Sequence, residues 1–193
     1  MDKAREDILE LSRTIIRNAS ETIRAIHRKE LERALEKQKE MKGQILRLHE
    51  IREAELRSDG AVQTAFQEYI EAILFYQFVS KEMFSKPEEL KPISAISYIH
   101  GLLDLVGEIR RYCLDSLLHD DIDEASRSME VMDDIYDHLV TLDYPSGLIP
   151  GVRKKTDGIR NMLEKMRGDI AIAFQRAKLE KRLAEVFQKE KLE

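Results

Sequence analysis

An all-α bundle of about six or seven long antiparallel helices is the fold class this sequence predicts, and three observations predict it. Residues that break helices are scarce, with 8 Gly and 4 Pro among 193 residues, so long stretches run without interruption. Apolar residues recur at spacings of three and four, the period of an amphipathic helix. The composition, 42% hydrophobic and 36% charged, is that of helices with one face in a core and one in water.

The elements follow in order. In the first segment Ile8, Leu11, Ile15, Ile16, Ala19, Ile23 and Ile26 form one apolar stripe, which predicts a helix from Asp2, with a bend or a second helix start around His27 to Lys29. Glu30 to Ile51 is charge-rich, with a thin stripe of Leu31, Leu35, Met41, Ile45 and Leu48. Ser58-Asp59-Gly60 reads as a helix stop. The third helix, about Ala61 to Val79, is apolar on most sides and is therefore expected to be the buried central one. Pro87 and Pro92 mark Ser80 to Pro92 as a loop, and a fourth helix is expected from about Ser94 to Leu118. Asp121-Ile122-Asp123-Glu124 has a capping-box pattern for a fifth helix to about Leu142. Tyr144-Pro145-Ser146-Gly147 reads as a turn, with Pro150 and Gly151 close behind, before a last helix from about Val152 to Lys189. Residues 178–193 are so charged that they read as a frayed helical tail. One domain over residues 1–193 accounts for the length. Apolar stripes wider than one neighbour covers point to a homo-oligomer.

Charge and cysteine usage narrow the function. Residues 1–57 hold 14 Lys and Arg against 12 Asp and Glu, residues 58–150 hold 6 against 18, and residues 151–193 hold 12 against 7. A uniformly basic nucleic-acid binder is thereby excluded, whereas an acidic centre between basic arms suits a cation site beside a polyanion. The same asymmetry also arises when exposed helix faces merely differ in charge. The one cysteine, Cys113, excludes an intrachain disulfide and a cysteine-based zinc site. No apolar run reaches membrane-spanning length, and MDKAREDILEL is charged where a signal peptide is apolar, so a cytoplasmic location with no membrane partner is expected.

Two acid pairs carry the chemistry. Glu68 and Glu71 lie in FQEYIEAILFYQF, and Asp104 and Glu108 in GLLDLVGEIRRYC. Spacings of three and four put each pair on one helix face, one turn apart. Their neighbours are apolar, and a carboxylate in such a setting has to be paired, protonated or bound to a cation. An oxygen-only set suits Mg²⁺, or Mn²⁺, and hydrolytic phosphate chemistry. The Glu-x-x-His motif of di-iron bundles is missing, since Glu71 is followed three residues on by Leu74 and Glu108 by Arg111. Ordinary ion pairs on solvated helix faces are the competing reading, and spacing does not decide between them.

At these residues the chain resembles the translin superfamily, within it the translin-associated factor X branch that supplies the catalytic subunit. The E-Y-I-E-A core of Phe66 to Phe78 is similar to the family's acid-bearing central helix, and GLLDLVGEIRRYCLDS, Gly101 to Ser116, to its G-x-x-D-L-x-G-E-x-x-R-x-C-x-x-S signature. Leu11-Ser12-Arg13, His27-Arg28, Asp121-Ile122-Asp123 and Arg153 to Gly158 resemble further landmarks. The resemblance implies a hollow octamer with Mg²⁺-dependent endoribonuclease sites facing its cavity. The metal-site acids then fall on Glu68, Glu71 and Asp104, with Glu108 beside them. The chain's short loops suggest an archaeal version that assembles with copies of itself. The alternative within the same resemblance is a non-catalytic, translin-like scaffold that binds nucleic acid and uses these acids in structural ion pairs.

RNA implies phosphate contacts. Arg13, Arg17, Arg24 and Arg28 follow at intervals of four, seven and four on one helix face, which suits salt-dependent, sequence-independent binding. Pairing with Glu10, Glu21 and Glu32 would occupy them equally well. Arg111, one turn from Glu108, is placed to meet a scissile phosphate or to balance the acids.

Overall fold

A computed structural model describes residues 2–55, 60–142, 149 and 151–190. These residues form only helices: α1 (Asp2–His27), α2 (Leu31–Glu55), α3 (Gly60–Val79), a 3-10 turn at Pro87–Leu90, α4 (Ala95–Leu118), α5 (Ile122–Thr141) and α6 (Val152–Glu190). The all-α expectation holds, element by element. Gly60 opens α3, while Ser58 and Asp59, the Tyr144 to Gly147 turn and Pro150 lie outside the described residues. The last helix continues through residues 178–190. No described helix is long and apolar enough to cross a membrane.

Three of the helix ends share one device that sequence pattern hides. Lys29, Lys81 and Asp120 adopt left-handed backbone, with φ of 63°, 59° and 59°. The next residue in each case donates its N–H back across the last turn: Glu30 to Ala25, Glu82 to Gln77 and Asp121 to Ser116, all at 2.9 Å. This is the Schellman arrangement, which satisfies carbonyls that a helix end otherwise strands. Glycine is its usual occupant, so lysine and aspartate conceal it. At α5 the expected cap is present: the Asp121 carboxylate accepts the Glu124 N–H at 3.1 Å.

The chain forms two compact units, Met1–Leu105 and Val106–Glu193. In the first, α1 packs on both α2 and α3, and α2 on α3. Ile8, Ile15, Ala19 and Ile26 line the buried side of α1, and Met41, Ile45 and Leu48 that of α2. As its composition predicts, α3 is buried nearly all round, from Val62 and Phe66 through Ile70, Leu74 and Phe75 to Phe78. The α1–α2 seam also carries polar contacts. Asn18, 3% exposed, donates through Nδ2 to Glu40 Oε1 and Gln44 Oε1, both at 3.2 Å. Its buried amide is thereby satisfied, and the pairing fixes the register of the two helices.

In the second unit α5 packs on α6. Met129, Met132, Ile135 and Leu139 of α5 are buried, as are Ile159, Leu163 and Met166 of α6. Cys113 is buried and donates its thiol to the Ala125 carbonyl at 3.3 Å, joining α4 to α5. Burial pushes this thiol up to about 11, a packing residue and not a nucleophile.

Candidate functional site

The site is built where α3 and α4 touch within the first unit. Gly101 lies against Ile70: a methyl group on it would stand 2.6 Å from Ile70 Cγ2 and 2.8 Å from the Gln67 carbonyl oxygen. No side chain fits there, so glycine allows the two helices to meet. Asp104 follows Gly101 by three residues, one turn along the same face. Its Oδ2 accepts a short hydrogen bond from the Gln67 side-chain amide. Gln67 directly precedes Glu68, so the contact holds Asp104 within a turn of the α3 acids.

On α3 itself, Glu68 is half-buried and Glu71 is 8% exposed, deep among Ile70, Ala72 and Leu74. A carboxylate so placed has to be engaged, and Glu68, Glu71 and Asp104 each interact with a neighbouring group. Glu108 is half-buried and also engaged, one turn beyond Asp104 on α4 and in the second unit. Three of the four predicted acids thus lie on adjoining turns of two touching helices. Donor chemistry fits a hard divalent cation, since every candidate ligand is a carboxylate oxygen. Among the described residues no three His, Cys, Asp or Glu gather closely enough to hold a metal ion.

The predicted phosphate-binding residues are elsewhere. Arg13, Arg17 and Arg24 are exposed on the side of α1 facing away from its buried stripe of Ile8, Ile15, Ala19 and Ile26, and Arg28 is exposed in the turn that follows. Among the described residues none of the four makes a side-chain hydrogen bond or ion pair. Glu21, one of their expected partners, pairs instead with Lys37 of α2 at 3.3 Å. Arg111 is exposed on α4, in the second unit. Tyr69 is a core residue, 5% exposed, with burial raising its hydroxyl pKa.

Sequence reasoning missed Gln67 and the structural reason for Gly101. The signal for both was present. Gly101 stands one turn before Asp104 in the G-x-x-D signature, and Gln67 is an amide beside the first acid on an otherwise apolar helix.

Comparison with known proteins bears on the family and the fold. A model of the Translin family matches residues 3–167. The uncharacterized protein MJ0175 of Methanocaldococcus jannaschii is 33% identical over 186 residues, covering 96% of this chain and 83% of that one. Among solved structures, AfC3PO in complex with duplex RNA is similar, with a TM-score of 0.84, 31% identity and 92% of each chain covered. AfC3PO alone matches with the same TM-score, 30% identity, and 92% and 93% of the two chains covered. Apo-NeC3PO, at 20% identity and a TM-score of 0.80 over 89% of this chain and 90% of that one, shares the fold.

Proposed function

The chain belongs to the Translin family, and on that premise we propose that it is a metal-dependent endoribonuclease that works as an oligomer of identical chains. One observation carries the reading: Glu68, Glu71 and Asp104 come to adjoining turns of α3 and α4 at a contact that only glycine permits. The RNA-bound structure of AfC3PO supports RNA as the substrate class, and the exposed Arg13, Arg17 and Arg24 of α1, with Arg28 just after it, would supply cations for its phosphates.

In this reading Glu68, Glu71 and Asp104 would hold Mg²⁺, with Mn²⁺ able to replace it. When bound, the cation supplies charge for the phosphate oxygens and lowers the pKa of water to the range where hydroxide forms near neutrality. Glu108, one turn along α4, is the candidate to orient that water by accepting its hydrogen bond. Arg111 offers a guanidinium to a phosphate oxygen. Hydrolysis would place the water's oxygen on phosphorus, break the bond from phosphorus to the departing ribose oxygen, and pass the water's proton to that oxygen.

Labelled RNA incubated with the chain and Mg²⁺, or with the chain and a chelator, tests the reading. Cleavage with Mg²⁺ and none with chelator is expected; intact RNA in both sinks it. A second reading, a scaffold that binds RNA without cutting it, is favoured by the Gln67–Asp104 contact and by the absence of three gathered acids among the described residues. Intact RNA retained in both incubations is its signature.

Two further results are expected. Gln67→Leu removes the donor that orients Asp104, and loss of such a supporting hydrogen bond costs about 10–100-fold in metal affinity or activity. Titration of the cleavage rate with Mg²⁺ reads this as a higher half-saturating concentration; an unchanged curve excludes an orienting role. On α1, Arg13→Ala and Arg17→Ala are expected to weaken RNA binding uniformly across sequences. Each lost phosphate contact lowers the slope of log affinity against log salt by about 0.7–0.9. An unchanged slope removes α1 from the RNA-binding surface.

A further inference from the structure

The histidines of this chain fall into different settings. His119 follows α4 and His138 stands in the last turn of α5, each exposed, with Nδ1 2.7 Å and 2.6 Å from the Asp115 and Asp134 carbonyl oxygens one turn back. His27 packs on Phe75, the ring centroids 4.8 Å apart, and His49 lies on α2 with its Nδ1 buried. His100 lies on α4 directly before Gly101, where that helix meets α3. It is half-buried, and it is engaged with a neighbouring group as Glu68, Glu71 and Asp104 are.

Two contacts fix the register of α3 on α4. Gln67 reaches Asp104; three residues further along α3, Ile70 meets Gly101, three residues back along α4. The helices are therefore antiparallel here, and the next pair, Glu71 and His100, comes to the same height along them. Glu68 comes level with Leu103, about 1.5 Å of rise from Asp104. His100 and Asp104 are four residues apart on one face of α4. Helical side chains lean toward the N-terminus, so the Asp104 carboxylate leans back over the turn that bears His100. Two ligands at i and i+4 on one helix is the arrangement by which H-E-x-x-H sites hold zinc. A search for Glu-x-x-His, with the acid first and a spacing of three, passes over it.

We propose that His100 is a fourth ligand of the cation site, adding one imidazole nitrogen to the carboxylates of Glu68, Glu71 and Asp104. This rests on the reading of those three acids as cation ligands. Height and face on the two helices carry it, not present side-chain contact, since among the described residues no three such groups are gathered. One nitrogen changes which metal the site favours. Mg²⁺ keeps to oxygen ligands and retained waters, whereas imidazole suits the first-row transition metals, of which Mn²⁺ is the hardest. The site then takes Mn²⁺ ahead of Mg²⁺ at equal concentration, and Mg²⁺ displaces it only in excess.

Pulsed EPR of the full chain loaded with Mn²⁺ tests it, because a nitrogen bonded to the ion leaves a hyperfine coupling that oxygen ligands do not. The parent is expected to show that coupling, and so is His119→Leu, whereas His100→Leu and His100→Asp lose it. His100→Asp is expected to keep its Mn²⁺, since a carboxylate takes the place of the imidazole. In titrations His100→Leu should bind Mn²⁺ more weakly by at least the roughly tenfold that loss of a supporting partner costs, with Mg²⁺ affinity changed less. A packing role would weaken both metals by one factor. Three outcomes overturn the nitrogen ligand and leave the carboxylate site standing: Mn²⁺ bound by the parent without nitrogen coupling, coupling that survives in either His100 variant, or equal weakening of the two metals. A parent chain that binds no Mn²⁺ refutes the cation site itself.

Discussion

Glu71→Gln and Asp104→Asn are each expected to reduce Mg²⁺-dependent RNA cleavage by about a thousandfold, while RNA retention and assembly persist. Both changes keep side-chain shape and remove one charge. Glu71 is 8% exposed, so a neutral amide of the same size leaves the packing of α3 nearly intact. The magnitude follows from the charge a bound cation contributes to the transition state, several kcal/mol, at about 1.4 kcal/mol per tenfold in rate. Binding is spared because the exposed arginines of α1 lie on a different element. Gel shifts, light scattering and cleavage rates on the same preparations separate these effects. Parental rates in both variants would remove the two acids from the reaction.

Gly101→Ala is expected to be the most damaging glycine-to-alanine change among the described residues. Its Cβ would meet Ile70 Cγ2 at 2.6 Å and the Gln67 carbonyl oxygen at 2.8 Å, and the second of these is backbone, which cannot rotate away. Overpacking costs about 1–3 kcal/mol, against about 1 kcal/mol recovered from the better helix propensity of alanine. Relieving the clash pushes α3 from α4, so Asp104 moves off Gln67 and away from Glu68. Stability and cleavage should therefore fall together. Gly107, in the same helix, is the control, since nothing stands within 4 Å of a methyl group placed there. Gly107→Ala is expected to raise thermal stability slightly. Equal melting temperatures for Gly101→Ala and the parent would show that the helices do not depend on this contact.

The fold was legible because apolar period and breakers agreed along most of the chain. The all-round apolar character of Ala61 to Val79 announced α3 as the central helix of its unit, and the Asp121 cap appears where its pattern was read. The ends of α1, α3 and α4 were less legible. Their left-handed residues are Lys29, Lys81 and Asp120, and no local pattern marks a lysine for that role.

The candidate site was legible in part. Spacing and apolar flanks singled out Glu68, Glu71 and Asp104, but a one-dimensional pattern does not reveal which turns of two helices touch. That depends on Gly101 against Ile70 and on Gln67 reaching Asp104. The alternative roles of the α1 arginines also needed coordinates. Ion pairing with Glu21 was sound by spacing, yet Lys37 of α2 holds that carboxylate at 3.3 Å. A partner on the neighbouring helix took the place of one on the same helix.

The central claim is that three carboxylates of α3 and α4 form a cation site, and direct titration of the protein with Mn²⁺ tests it best. The parent chain is expected to bind Mn²⁺ and to release it to excess Mg²⁺. The Glu71→Gln/Asp104→Asn double variant, folded and assembled as the parent is, should bind none at the same concentrations. Equal Mn²⁺ binding by the two proteins, or none by the parent, would contradict the account.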